Sequence, residues 1–335
     1  MIVDLFAGPG GWDVGCQLAR LPAPVGLEWD KGACNTRRAA GHLTVRADVA
    51  TYPPEAFAGA TGLIASPPCQ EFSTANARKG GLDTARGGLV NEVMRWARAI
   101  RPEWIACEQV PPVLPIWRQF AHQLCELGYD ATARVLCAAD YGVPQKRHRA
   151  ILIAHRDGPA RWPAVTHTET ASLFGDPWES MADSLGWGHG NVTARHDGGF
   201  RDRHSPNPHL VSWDRPAPTV ISSHAHSSDW VDVTPAKWSG GRGERDDRTP
   251  RLTASGGSSD EPAPTIRRNH AKASEWRPVG DTGRVGPNLA ELGVLQGFPP
   301  DYPWTGPGIG QQIGNAIPPP FAAAILSALT SEARR

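Results

Sequence analysis

The stretch "DLFAGPGGWD", residues 4–13, decides how this chain is read. It grows out of "IVDLF" (2–6), a short apolar run of the kind that forms a buried strand. Gly8, Gly10 and Gly11 then let the backbone turn tightly and approach a ligand closely. A helical stretch (10–20) follows, and then "VGLEW" (25–29), a second strand that carries Glu28, 20 residues after Gly8. A carboxylate about 20 residues beyond a glycine turn stands where ribose hydroxyls are gripped. Trp29 beside it offers a flat face to an adenine. Asp48, after the third strand, offers an acceptor to the adenine amino group. The glycine spacing is not GxGxxG, and no phosphate-loop lysine follows. The pattern therefore favours a nucleoside-type cofactor over a dinucleotide or a nucleoside triphosphate.

The same alternation continues outward. "LTVRA" (43–47), "GLIAS" (62–66), "EWIACE" (103–108), "ATARVLC" (131–137) and "AILIAH" (150–155) read as strands. Helical stretches are expected at 31–40, 88–100 and 114–127. Strands alternating with helices predict an α/β fold with a doubly wound, mainly parallel sheet. Ligands on such a sheet bind beyond the carboxyl ends of the strands, near the switch in strand order.

Composition narrows the class of partner. Lys+Arg and Asp+Glu are both 34 in 335 residues, so any positive potential facing a nucleic acid must be local. The six cysteines form no CxxC pair and no histidines show zinc-finger spacing, so no metal site is expected. Met1 leads straight into a strand, and no apolar run approaches about 20 residues. The expectation is a cytoplasmic monomer with reduced thiols, no signal peptide and no membrane segment.

The strand-end loops carry the chemistry. "GLIASPPCQEFSTA" (62–75) leaves the fourth strand through two prolines and places Cys69 on a stiffened loop. Glu108 ends the fifth strand in "ACEQV". In "YGVPQKRHRA" (141–150), Arg147 and Arg149 stand two apart, and in an extended chain they project to one side. A thiol, a carboxyl and two guanidiniums thus converge beside a nucleoside pocket.

"DLFAGPGG", "SPPCQ", "EQV", "PQKRHR", "LQGFP" (295–299) and "GQQIGNAIPP" (310–319) resemble, in order and spacing, the motifs of DNA (cytosine-5) methyltransferases. The resemblance implies a Rossmann-like domain using S-adenosylmethionine, formed by residues 1–156 and 286–335. It implies an inserted target-recognition domain at 157–285. It makes Cys69 the nucleophile toward cytosine C6 and sets Glu108 on N3. Arg149 and Arg147 would then bind O2 and steady the loop. It frames the cofactor with Phe6, Ala7, Gly8, Gly10, Glu28, Trp29, Asp48, Pro68, Leu89, Asn315 and Ala316, and sets Gln70 and Ser73 against double-stranded DNA. Because C6 of a paired base cannot reach a buried thiol, base flipping is implied. Three positions depart from the family pattern. Gln109 replaces an Asn, Glu71 replaces a Pro, and "GPN" (286–288) replaces "RLT", with the expected Glu291 kept.

Between about 157 and 285 the alternation gives way to Gly, Ser, Pro, Asp, Arg, His and Trp, a composition of loops and short strands. "DRPAPTVISSHAHSSDW" (214–230) aligns without a gap with "DEPAPTIRRNHAKASEW" (260–276), 46 residues on. The family commonly has one such "PAPT" segment. The middles of the two copies differ: His224 and His226 suit base edges, whereas Arg267 and Arg268 suit phosphates. Two alternatives stand beside DNA methylation: an RNA cytosine-5 methyltransferase on the same scaffold, and a non-catalytic DNA-binding relative.

Overall fold

The computed structural model describes residues 1–68, 87–170, 175–186, 191–196, 228–232, 257–258, 263–264 and 289–331. The first part contains strands β1 (Ile2–Leu5), β2 (Val25–Glu28), β3 (Thr44–Arg46), β4 (Gly62–Ala65), β5 (Trp104–Gln109), β6 (Asp130–Cys137), β7 (Gln145–Lys146) and β8 (His148–His155). Helices α1 (Gly11–Leu18), α2 (Lys31–Ala39), α3 (Glu92–Ile100) and α4 (Leu114–Glu126) lie between them. Seven strands form one sheet in the order β3-β2-β1-β4-β5-β8-β6. From β3 to β5 every pairing is parallel. β8 runs antiparallel to both neighbours. The reason is the connection: β6 reaches β8 without a crossover helix, and a short return leaves the next strand reversed.

Alternation along the strands sorts the side chains into two cores. Val3, Leu5, Leu63, Ala65, Ile105 and Cys107 pack with residues of α3 and α4 on one face. Ile2, Ile64, Ala106 and Ile151 pack on the other with residues of α1 and of α8 (Pro319–Thr330). The C-terminal elements α6 (Leu289–Leu295), α7 (Ile309–Asn315) and α8 thus return to the first strand. The approach is close enough that a Cβ on Gly11 would clash with the Ile317 carbonyl oxygen. The stretch Ile309–Thr330 is long and apolar enough to cross a membrane, contrary to the expectation that no run comes near that length. Its apolar residues serve the core instead: Phe321, Ile325 and Leu326 are fully buried beneath the sheet.

One core position breaks the pattern. Asp4, in the middle of β1, is fully buried, and neither carboxylate oxygen has a hydrogen-bond partner. Burial, with Asp13 and Glu28 adding to it against Arg37, raises its pKa well above the ordinary carboxylate value. Protonation therefore favours the folded state. Stability from this group is complete below the unfolded carboxylate pKa and is lost as pH rises toward the folded value. Asp4→Asn should melt higher than the parent at pH 8 and nearly with it at pH 4. A constant difference across a pH series of thermal melts would contradict this.

Short elements lie between β8 and α6. β9 (His167–Thr168) pairs with β10 (Asp176–Pro177), and α5 (Met181–Leu185) follows. β11 (Asn191–His196) lies between β12 (Ser228–Asp232) and β13 (Gly257–Ser258). β14 (Ala263–Pro264) pairs with β7.

Candidate active site

The chain leaves β1 for β2 and β3 on one side and returns to β4 on the other. The switch in strand order therefore lies between β1 and β4, where the glycine turn and the Ser66–Pro68 loop both emerge. Phe6, Gly8 and Gly10 all have positive φ, at 60, 55 and 115°. For a bulky Phe this is a rare conformation that persists only where its surroundings impose it.

The Glu28 carboxylate bridges the turn to the end of β2. It accepts from the N–H of Gly8 (2.8 Å), Trp29 (2.9 Å) and Asp30 (2.7 Å). Burial pushes the carboxyl above its ordinary range, and these three donors pull against that shift. A carboxylate has about four acceptor sites, so one remains for a further hydroxyl. Among the described residues, a Cβ on Gly8 would meet nothing within 4 Å, so none of them fills the space in front of the turn. Trp29, at its side, is 73% exposed. Asp48 is exposed, and its Oδ1 accepts from the Ala50 N–H.

Behind the turn lies a buried polar network that spacing in the sequence did not announce. All five N–H donors of Arg37 are used: two on Asp13 (2.6 and 2.9 Å), and one each on Ala7 O, Leu43 O and Thr44 Oγ1. Tyr302, from the C-terminal part, donates to Pro9 O at 2.5 Å, and its hydroxyl stands 3.1 Å from His42 Nε2. Burial lowers the His42 pKa. The network holds the turn from beneath with carbonyls at Ala7 and Pro9. Only Asp13, inside the opening motif, was visible as part of a pattern.

The loop leading to Cys69 is held at two points. Trp12 Nε1 donates to Ser66 Oγ (2.9 Å), and Gln109 Nε2 donates to the Pro67 carbonyl (2.5 Å). The Gln109 Oε1 also accepts from the Val110 N–H. Gln109, a departure from the family pattern, thus props this loop with the reach of its extra methylene. Pro68 and Leu89 are half-buried beside the two ends of the segment that carries the thiol. Cys69, Gln70 and Ser73 themselves lie outside the described residues, as do Glu71, residues 286–288, His224, His226, Arg267 and Arg268.

Glu108 and Arg149 form a buried ion pair, Nε to Oε1 at 2.7 Å. Glu108 is opposite Ile151 in the antiparallel ladder, so Arg149 is its diagonal neighbour on the same face. Arg147, expected to bind O2 and steady the loop beside Arg149, reaches the C-terminal segment. Its guanidinium donates to the carbonyls of Gly314 (2.9 Å) and Ala316 (3.1 Å). Alternation fixes the side on which an arginine lies, and the C-terminal segment occupies the space on that side first. Gln145 and Gln296 complete the tie: Gln145 Nε2 donates to Gln296 Oε1 (2.8 Å), and Gln296 Nε2 donates to Ala316 O (2.5 Å). Asn315, just before this clamp, is exposed. Among the described residues no three His, Cys, Asp or Glu side chains gather as metal ligands.

A doubly wound sheet with a glycine turn and a buried carboxylate at its switch point defines a Rossmann-like, class I methyltransferase fold. The model of the C-5 cytosine-specific DNA methylases matches residues 1–331, and the chain belongs to that family. It is a DNA (cytosine-5-)-methyltransferase. Type II methyltransferase M1.HphI of Haemophilus parahaemolyticus is 26% identical over 354 residues, covering 98% of this chain and 86% of that relative. Type II methyltransferase M.AquIA of Picosynechococcus is 29% identical over 216 residues, covering 55% of this chain and 87% of that relative. Among solved structures, the Entamoeba histolytica methyltransferase EhMeth superposes with a TM-score of 0.62 at 12% identity. The S. pombe Dnmt2 methyltransferase superposes at 0.60 with 16% identity. Each comparison covers 98% of this chain and 97% of the other.

Proposed function

We propose that the protein methylates C5 of cytosine within a specific short sequence of double-stranded DNA, as the modification partner of a type II restriction system. In this reading S-adenosylmethionine is the methyl donor. The observation that carries it is that the glycine turn after β1 and the buried Glu108–Arg149 pair, near the end of β5, lie along the same carboxyl edge of one sheet.

The residues present fit the cofactor. Glu28 keeps an acceptor site for ribose, Gly8 faces space that none of the described residues fills, and Trp29 presents an exposed ring. Phe6, Ala7, Gly10, Asp48, Pro68, Leu89, Asn315 and Ala316 would complete the pocket. When bound, the cofactor supplies an electrophilic sulfonium methyl. Everything else falls to the protein. Cytosine C5 is a poor nucleophile, and the Cys69 thiolate makes it a good one by adding to C6. Glu108 hydrogen-bonds N3 and shares a proton with it as ring charge develops. Arg149 holds Glu108 and reaches O2. After C5 takes the methyl, loss of its proton expels the thiolate and restores the ring. The target base must be flipped out of the duplex for C6 to meet the sulfur. Ser66 and Pro67, held by Trp12 and Gln109, set where that sulfur sits.

Residues 157–285 form the recognition domain in this reading, inserted into a catalytic unit of 1–156 and 286–335. Gln70 and Ser73 contact DNA on the catalytic loop, His224 and His226 read base edges, and Arg267 and Arg268 hold phosphates. Bisulfite sequencing of DNA from cells expressing the protein should show protected cytosines in one short motif. Protection of none, or of cytosines without a common context, would overturn the proposal.

A further inference from the structure

The two copies of the "PAPT" unit share a sequence; the PAPT residues of the first copy lie outside the described residues, and Ala263 and Pro264 of the second are described. In the second copy, Ala263 and Pro264 form β14, which runs parallel to β7, Ala263 opposite Gln145 and Pro264 opposite Lys146. At the end of the first copy, the described strand β12 has its own partner. Ser228–Asp232 pairs with β11, with Trp230 opposite Ala194, in a separate sheet.

β7 is only two residues long, but its neighbours matter. Gln145 is fully buried and tied to Gln296. The next residue, Arg147, clamps the carbonyls of Gly314 and Ala316, beside the cofactor side of the site. Two residues further, Arg149 pairs with Glu108. At about 3.3 Å per extended residue, roughly 10 Å of backbone joins the docked strand to the base-binding pair. A strand laid along β7 therefore bears on both halves of the site. The docking sequence suits an edge. Proline fixes φ and cannot donate to a ladder, so it pairs on a strand edge through its carbonyl, and it is already extended before it docks.

We infer that the second PAPT copy (262–265) is a positioning element for methyl transfer, docking the inserted region on β7 and thereby setting Arg147 and Arg149, and that the first copy (216–219) has no such role. The inference rests on the reading of Glu108 and Arg149 as the base-binding pair. It divides the repeat between a dock and a segment released for other work, such as reading DNA.

Two measurements test it. The first is independent of catalysis. In the full-length protein, Lys146→Cys with Pro264→Cys should cross-link under mild oxidant, located by peptide mass, whereas Lys146→Cys with Pro218→Cys should not. Equal cross-linking of both would make the copies interchangeable and overturn the inference, whatever the enzyme methylates. The second is kinetic. Pro264→Gly should lower kcat about tenfold or more on a random-sequence duplex, because a misplaced catalytic group is costly. Its methylated sites and melting temperature should stay as in the parent, and Pro218→Gly should keep the parental kcat. If Pro264→Gly instead changes which cytosines are methylated at unchanged kcat, the second copy reads DNA and is not a dock. If kcat and melting temperature fall together and equally in both glycine variants, the repeat is structural and the inference fails.

Discussion

Cys69→Ala should abolish methyl transfer to DNA while leaving cofactor binding intact. The thiol follows Pro67 and Pro68 off the end of β4, whereas the glycine turn and Glu28 belong to β1 and β2. The two functions therefore sit on different loops, and loss of the sulfur removes one of them. Without thiolate addition to C6, C5 has no enamine character, and the split of one hard step into easier ones is lost. Cys69→Ser should be nearly as inactive, because a hydroxyl is a far weaker nucleophile at neutral pH. Transfer of labelled methyl groups to duplex DNA measures the first effect and calorimetry with S-adenosylmethionine the second. Substantial activity in the alanine variant would remove Cys69 from the mechanism.

The second large effect is expected at Glu28. Its carboxylate already accepts from Gly8, Trp29 and Asp30. Glu28→Ala would orphan these N–H groups as well as the ribose hydroxyls. Leaving buried donors unpaired costs about 1–3 kcal/mol. With 1.4 kcal/mol per factor of ten, cofactor affinity should fall by about 5- to 150-fold. The Gly8 turn should also lose order, since the carboxylate is one of its ties to β2, beside the Ala7 N–H on the Leu27 carbonyl. DNA affinity measured without cofactor should remain close to that of the parent. Unchanged cofactor affinity would refute the assignment of the pocket. An equal loss of DNA affinity would point to general unfolding, which a melting curve would show.

The sheet and the places to search on it were legible in the sequence because both follow from local rules. Runs of five to seven residues marked every strand of the main sheet, and the glycine turn after β1 stood where the strand order switches. Glu28 was legible from its distance to Gly8, and Glu108 from the end of its strand. The reversal of β8 was less so, since an apolar run carries no direction. What stayed hidden were partnerships between polar groups far apart in the chain. Arg37 meets Asp13 across 24 residues, and Gln145 meets Gln296 across 151. No periodicity connects such pairs, because the fold brings them together only after the sheet has formed. Arg147 shows the same limit. Alternation placed it beside Arg149, but the carbonyls of Gly314 and Ala316 decided where its guanidinium went. Gln109, which departs from the family pattern, holds Pro67 on the loop that leads to Cys69.

The most direct test of the mechanism traps its covalent step. Fluorine at C5 cannot leave as a proton does, so the thiolate cannot be expelled once the methyl is in place. A random-sequence duplex with 5-fluorocytosine in place of cytosine should form a denaturation-resistant adduct with the wild-type protein. The adduct should appear only when S-adenosylmethionine is present, and peptide mass mapping should place it on Cys69. An active enzyme that forms no adduct, or one that forms it equally well as Cys69→Ala, would contradict covalent catalysis by this thiol.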